Sequence, residues 1–560
     1  MQLGKYLTYV FWIAILVSLV SRFVGLGSSA LTEGEAELIL PAWQLLNSDS
    51  PAASSSAVLQ NISAFWFFLF GATNFLARVS TAFAGVFIVL SPFLFRKQIG
   101  MLRALVLSFL LASSPILLAI SRRADSGVIA IGIMILLAWA VVNRKNFWAG
   151  FTLGIGIFCG SEFWLYILIL GLGLYLNRNQ KKVKKMFIEL SNWRTFFSAS
   201  LSGFIVGVFL FGFGFGFNPT WLASVGKSVW ELVTSYPVRS LDIFLMKLAA
   251  FPLYEPLLFT FILLFLIGNS RSEPKKNEIT FWYGLFVFII LLIRQNSILD
   301  LAIFVILMAI WASKPLAVWM DTELENPRET GVMGIFVLVV LIFAGLTTLS
   351  AFTPGLENTQ LLLRMVVAAI TILILIISVF LISSGWTGQI AFTGASAGII
   401  LLLFTFNTSM MWKAAGLYAQ PTFEFWETYD QKIIDHVLID QINEINNFNL
   451  RPAADTQVEI VGIHSAALDW SLRLTNVQHI EDMKLSDLQT PFVITSANVD
   501  QNLLLGDFRG QDILWSYKTD FSTFELIDWA RWLVYRKPTM PSESIILWTN
   551  SNQFVDQQNQ

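Results

Sequence analysis

The chain has 560 residues, 55% of them hydrophobic and only 13% charged, with 49 Phe and a mean hydropathy of +0.65. That balance excludes an ordinary water-soluble globule and describes a protein that crosses a membrane many times. A net charge of −2 gives no electrostatic case for nucleic acid as a partner, and the single cysteine, Cys159, excludes an internal disulfide. The three histidines, His436, His464 and His479, all fall late in the chain, so a metal bound in the apolar part would need oxygen ligands.

In chain order, apolar runs fall near 5–22, 79–95, 104–120, 127–142, 147–158, 161–176, 197–216, 254–268, 279–293, 297–311, 331–350, 361–383 and 388–406. These predict about thirteen transmembrane helices, some short of the ~20 residues a bilayer asks for. Basic residues cluster in alternate loops: Arg96, Lys97 and Arg103; Arg144 and Lys145; Arg178 to Lys185; Arg271, Lys275 and Lys276. Cytoplasmic loops are enriched in Lys and Arg, so these loops are expected inside. The opposite set carries Glu33, Glu35, Glu37, Asp125 and the Trp-rich segment Asn218–Tyr254 and is expected outside. An odd number of spans then predicts a multi-pass plasma-membrane protein with its N-terminus in the cytoplasm and its C-terminal part outside. Lys5 ahead of an apolar run, and the small residues Gly27 to Ala30, imitate a cleavable signal; Arg22 interrupts the approach to such a site and argues for a retained helix.

The first outer loop reads Leu31-Thr32-Glu33-Gly34-Glu35-Ala36-Glu37, and no basic residue lies between Phe23 and Ala77. Thr32 with Glu35 forms a capping box, and acids in a first helical turn are favoured whatever the protein does. A functional reading stands beside that structural one, because Asp125, in Ser121-Arg122-Arg123-Ala124-Asp125, is expected on the same membrane face. Asp125 reads either as a helix cap paired with Arg122 or Arg123, or as one of two acids that hold a divalent cation or draw a proton from an acceptor hydroxyl. In the cation reading Glu33 and Asp125 are the ligands and the ion is Mg2+ or Mn2+. Glu162 belongs by position to an outer turn, either as a solvated acid or as a residue lining the site. Trp221, Trp230, Tyr236 and Tyr254 suit an interfacial aromatic belt or stacking on a sugar or isoprenoid.

Near Asn407 the composition turns from apolar to mixed and charged, which divides the chain into a membrane part, 1–407, and an outer part, 408–560. About 150 residues can bury a core of their own. Ile434, Leu438, Ile442 and Ile445 share a face of a helix predicted over 426–447, and Val458–Ile463 and Phe492–Thr495 read as strands, giving a small α/β or α+β domain. His464 and His479 lack the spacing of a zinc pair.

Several short motifs, in their order, carry a resemblance. Arg22-Phe23-x-x-Leu26 ahead of the acid-rich helix with Glu35-Ala36, Gly71 with Ala77-Arg78, Ser114-Pro115, Ser121 to Asp125, and Asp469-Trp470-Ser471-Leu472-Arg473 together resemble the C-type glycosyltransferases that use lipid-phosphate sugars. The nearest flavour is the bacterial and archaeal dolichyl-phosphate-mannose-protein mannosyltransferase-like, "flippase-associated" group. The resemblance implies transfer of a sugar from a polyprenyl-phosphate carrier to a protein, glycan or lipid acceptor at the outer face, with inversion. Trp470 and Arg473 read either as a core side chain and a salt-bridge partner or as part of a segment that folds over the cavity and helps to select the acceptor. The family usually carries Asp-Glu in the first outer loop with the Asp as base; here Gly34 precedes Glu35, which leaves Glu33 as the nearest acid and Glu35 as the runner-up. The leaving phosphate calls for a cation, for which Arg239, Lys247, Arg294 and Arg364 are candidates. Arg294 is preferred because Gln295, Asn296 and Asp300 make its surroundings polar. A transporter or flippase of lipid-linked sugars is the alternative and should show charged or broken spans near the midplane. A non-catalytic envelope assembly protein is a further alternative.

Overall fold

The computed structural model describes residues 2–47, 52–176, 193–212, 221–236, 241–269, 278–294, 297–321, 326–353, 357–385, 387–417, 423–428, 431–480, 490–497, 508–518, 521, 524–536 and 542–554. It is a polytopic helical bundle followed by a domain built on one sheet. Among the described residues six helices are long and apolar enough to cross a membrane: Asn74–Ile99, Arg194–Phe211, Ile298–Asp321, Pro327–Ala351, Thr359–Gly385 and Gly388–Ala414. Two bent pairs raise the number to eight, and further apolar helices such as Ser126–Val142 are shorter, so length alone accounts for fewer than the expected thirteen.

The bends have local causes. The run near 104–120 breaks by 67° between Met101–Ala112 and Pro115–Ser121, because Pro115 has no N–H to continue the ladder and Ser114 caps the new helix, accepting from the Leu117 N–H at 3.2 Å. A second pair, Ile243–Tyr254 and Pro256–Phe265, turns by 95° at Glu255. The two breaks meet: the Glu255 carboxylate accepts from Ser114 Oγ and from the Ile116 N–H, so an acid at one break satisfies donors left open at the other. The structure also holds helices that the apolar runs did not mark as spans, Ala57–Phe70, Trp221–Thr234 and Leu241–Tyr254.

The C-terminal sheet has the order β1-β5-β6-β4-β2-β3, with β1 Lys432–Ile433, β2 Gln457–Val461, β3 Asn476–Ile480, β4 Phe492–Ser496, β5 Phe508–Tyr517 and β6 Ser542–Asn550. β2 runs parallel to β3 and β4 and the other pairs are antiparallel. The predicted strands are β2 and β4, whose nearly continuous burial follows from their central place. The helix predicted over 426–447 begins only at His436. Lys432 and Ile433 pair with β5, and the Ile434 N–H is spent on Trp515 O, leaving Leu438 and Ile442 as the buried helical stripe.

The apolar core passes without interruption from the bundle into this domain. The helix Gly388–Ala414 runs on through Asn407, where the composition changes. Tyr254 of the bundle packs on Phe425 and Trp426 and donates its hydroxyl to Glu424 Oε2 at 2.5 Å. Arg536, fully buried, lies over the Trp532 ring and pairs with Glu424 at 3.3 Å.

Candidate active site

The first acidic loop folds as predicted from its capping box: the Thr32 N–H donates to Glu35 Oε2 at 3.1 Å and the Glu35 N–H to Thr32 Oγ1 at 3.4 Å, opening the helix Glu33–Asn47. Glu35 is buried and holds more than the cap. Arg78 reaches it with Nε and Nη2, both at 2.7 Å, and the Ala124 N–H donates to it at 2.8 Å. Burial by itself would raise the Glu35 carboxyl, but the Arg78 pair with its hydrogen bonds, the nearby Arg123 and the Ala124 N–H outweigh it and hold the group down at about 2. Arg78 spends its remaining donors on Leu26 O, Ser29 O and Oγ, and Ala30 O. Glu35 is thus a brace between the first loop, the span Asn74–Ile99 and the Ser121–Asp125 turn, and a carboxylate so fully engaged is poorly suited to accept a substrate proton.

Glu33 points to the C-terminal domain. Its carboxylate accepts from Ser465 Oγ at 2.8 Å and from the Ala466 and Ala467 N–H groups at 2.5 and 3.3 Å, capping the short helix Ala466–Ser471. That helix brings Trp470, buried, whose indole N–H reaches Asn74 Oδ1 at 2.8 Å, and Arg473, which donates to Ala72 O at 2.7 Å and lies over the Trp470 ring. Trp470 and Arg473 therefore seat the domain on the bundle. The expected cation at Glu33 and Asp125 does not fit: both Glu33 oxygens already accept protein donors, and among the described residues no three His, Cys, Asp or Glu side chains gather as a metal site.

Asp125 is a helix cap: Oδ1 accepts from the Gly127 N–H at 2.6 Å at the start of Ser126–Val142. The next helix, Ser161–Leu176, begins beside it. Gly160, at φ +113°, makes a turn that favours glycine, and a Cβ there would sit 3.2 Å from Ser126 Oγ and 3.3 Å from Glu162 Oε2. Ser126 Oγ donates to Glu162 Oε2 and Ser161 Oγ to Glu162 Oε1, both at 2.9 Å, so the two helix starts converge on this carboxylate. Loss of water contact, then the neighbouring Glu162, push the Asp125 carboxyl above its ordinary range, with Gly127 N–H and Arg123 opposing and Asp300 adding.

Opposite these acids stands Arg294, fully buried at the end of Glu278–Ile293. Its Nη2 lies 3.3 Å from Glu162 Oε1 and 3.4 Å from Ser161 Oγ, and its Nε donates to Ser235 Oγ at 3.2 Å. Lys247, also fully buried, donates to Leu291 O at 3.2 Å and Arg294 O at 2.8 Å. Asp300 bridges the two cations, its Oδ2 at 3.5 Å from both Arg294 Nη1 and Lys247 Nζ. Two cations and two carboxylates so arranged form an anion-balancing cluster next to Asp125.

Of the predicted site residues, then, Asp125, Glu162, Lys247 and Arg294 come together, and Glu33 and Glu35 stand at the flank, joined by Arg123, which donates to Thr32 Oγ1 at 3.0 Å. Arg364 is elsewhere: it donates to Ser350 O, on a helix pair packed chiefly on itself and on Gly388–Ala414. Arg239 and the side chain of Trp221 lie outside the described residues. Arg78, Arg123 and Asp300 were not picked out as site residues; Asp300 drew notice only as a polar neighbour of Arg294, and its one sequence signal is a charge inside an apolar run.

The fold, from the helical bundle through the C-terminal sheet domain, is shared with solved structures. Among solved structures, ArnT from Cupriavidus metallidurans in the apo state superposes with a TM-score of 0.54 at 14% identity, covering 98% of this chain and 99% of that one. The same protein bound to undecaprenyl phosphate gives 0.53 at 13% identity, with 96% and 98% covered. No protein-family model matches the chain and no curated protein matches its sequence.

Proposed function

We propose that this protein is an integral membrane glycosyltransferase that takes a sugar from a polyprenyl-phosphate carrier and passes it, with inversion, to an acceptor at the outer face of the plasma membrane. The observation that carries the reading is the meeting of Asp125 and Glu162, at the starts of two helices, with the buried Arg294 and Lys247, in a fold shared end to end with a protein solved with undecaprenyl phosphate. Arg294 and Lys247 receive the donor phosphate, for which a guanidinium fork and an ammonium are suited. Asp125 takes the proton of the acceptor hydroxyl as its oxygen bonds to the anomeric carbon. The carbon–oxygen bond to phosphate breaks, and the electron pair leaves with the polyprenyl phosphate. Glu162 sets the charge around Asp125. In this reading 1–407 form the membrane part and 408–560 an extracytoplasmic domain, with the N-terminus in the cytoplasm, as the basic loops suggest. Ser465 on Glu33 and Arg473 on Ala72 O seat this domain beside the acidic loop, which supports a part for it in acceptor use.

The test is sugar transfer from a polyprenyl-phosphate sugar by the protein reconstituted in liposomes. Asp125→Asn should cost about 10²–10⁴ in turnover, the worth of a positioned base, with unchanged abundance. Near-normal turnover in both Asp125→Asn and Glu162→Gln would remove the mechanism.

A further inference from the structure

The cation cluster has an unusual geometry at one point. Asp300 Oδ2 sits at 3.5 Å from Arg294 Nη1 and from Lys247 Nζ, and neither Oδ2 nor Nη1 makes a hydrogen bond, although all three side chains are buried or nearly so. A buried guanidinium nitrogen without an acceptor is costly, and an ion pair held about 0.7 Å beyond the ~2.8 Å of a charge-assisted hydrogen bond gives up much of its strength. The other groups on Arg294 are placed better: Nε on Ser235, and Nη2 near Glu162 and Ser161. Lys247 has two carbonyls, Leu291 O and Arg294 O, and its third donor is left for Asp300. The hydrogens of Nη1 and the last hydrogen of Nζ thus border one position that a negatively charged oxygen should fill at shorter range. Asp300 occupies it loosely.

We propose that Asp300 is a resident counter-ion that competes with the donor phosphate for Arg294 and Lys247: a phosphate oxygen takes the place of Oδ2 when the donor enters, and Asp300 returns when the spent carrier leaves. The inference rests on the reading of Arg294 and Lys247 as the phosphate site. It adds a named residue that sets how firmly the product, a polyprenyl phosphate, is held. Without a competing carboxylate, two buried cations would retain the product; with it, binding becomes an exchange of anions and release is eased.

Undecaprenyl phosphate binding to the purified full-length protein in nanodiscs separates the possibilities. The parent should bind, Arg294→Lys should bind more weakly, and Asp300→Asn, which keeps shape and removes charge, should bind at least about tenfold tighter, since one competing charge at this range outweighs that factor. Asp300→Glu should stay near the parent, and kcat of Asp300→Asn should fall together with its KM for the lipid donor. Asp300→Asn that binds no tighter than the parent overturns the inference while leaving the phosphate site intact. A parent that binds no undecaprenyl phosphate sinks the functional reading and the inference together. If Asp300→Asn fails to fold, the structure of the lipid-bound parent decides: Oδ2 displaced from Nη1 and Nζ by a phosphate oxygen supports the exchange, and both contacts retained beside the bound phosphate refute it.

Discussion

Glu35→Gln distinguishes a brace from a base. In the folded protein the Glu35 carboxyl is held at about 2 against an ordinary 4.5, a gap of about 2.5 units, which at 1.36 kcal/mol per unit is roughly 3 kcal/mol of stability. The figure agrees with the ~3–5 kcal/mol that breaking a buried ion pair usually costs. Because the folded value is depressed, the contribution is fully present above about pH 4.5 and is lost as pH falls toward 2. Glu35→Gln should therefore melt well below the parent at pH 7, and the difference should close on acidification through that window. The variant should still insert, since Arg78 keeps four acceptors in Leu26, Ser29 and Ala30. Thermal unfolding in detergent across pH, with turnover measured on the folded fraction, makes the test. A variant as stable as the parent but without turnover would refute the structural reading and return Glu35 to the role of base.

If Asp125 is the base, the acid limb of the rate profile should lie above the ordinary aspartate range, because its carboxyl is raised by burial and by Glu162 and must be ionised to act. Glu162→Gln should move that limb to lower pH, and an unmoved limb would show that Asp125 is not the titrating group. A chain ending after Met411 should insert poorly or aggregate in size-exclusion chromatography, because it strips the partners of Glu33, Asn74 and Tyr254 and exposes the face that Phe425 and Trp426 cover. A truncated bundle that stays monodisperse and melts like the full chain would show two independent folding units.

The membrane class, the Thr32–Glu35 cap, the Asp125 cap and two of the sheet's central strands could be read from the sequence because each depends on residues within a few positions of one another: an apolar run, a polar residue ahead of it, a stretch of β-branched side chains. The break at Ser114-Pro115 has an equally local cause, yet the apolar run 104–120 reads straight through it. The sequence also showed that Arg294 stood in polar company. Tertiary structure alone decided what the acids do. Glu33 and Glu35 are two residues apart, yet one closes on Ser465 and the other on Arg78; which partner an acid meets depends on chain segments tens to hundreds of residues away. Likewise Glu162, Lys247, Arg294 and Asp300 belong to four different segments, and Arg364, which like Arg294 follows an apolar run, bonds to Ser350 O instead. A buried charge is tolerated only where the fold brings it a counter-charge, and that pairing is a property of the packed bundle, not of any single stretch of chain.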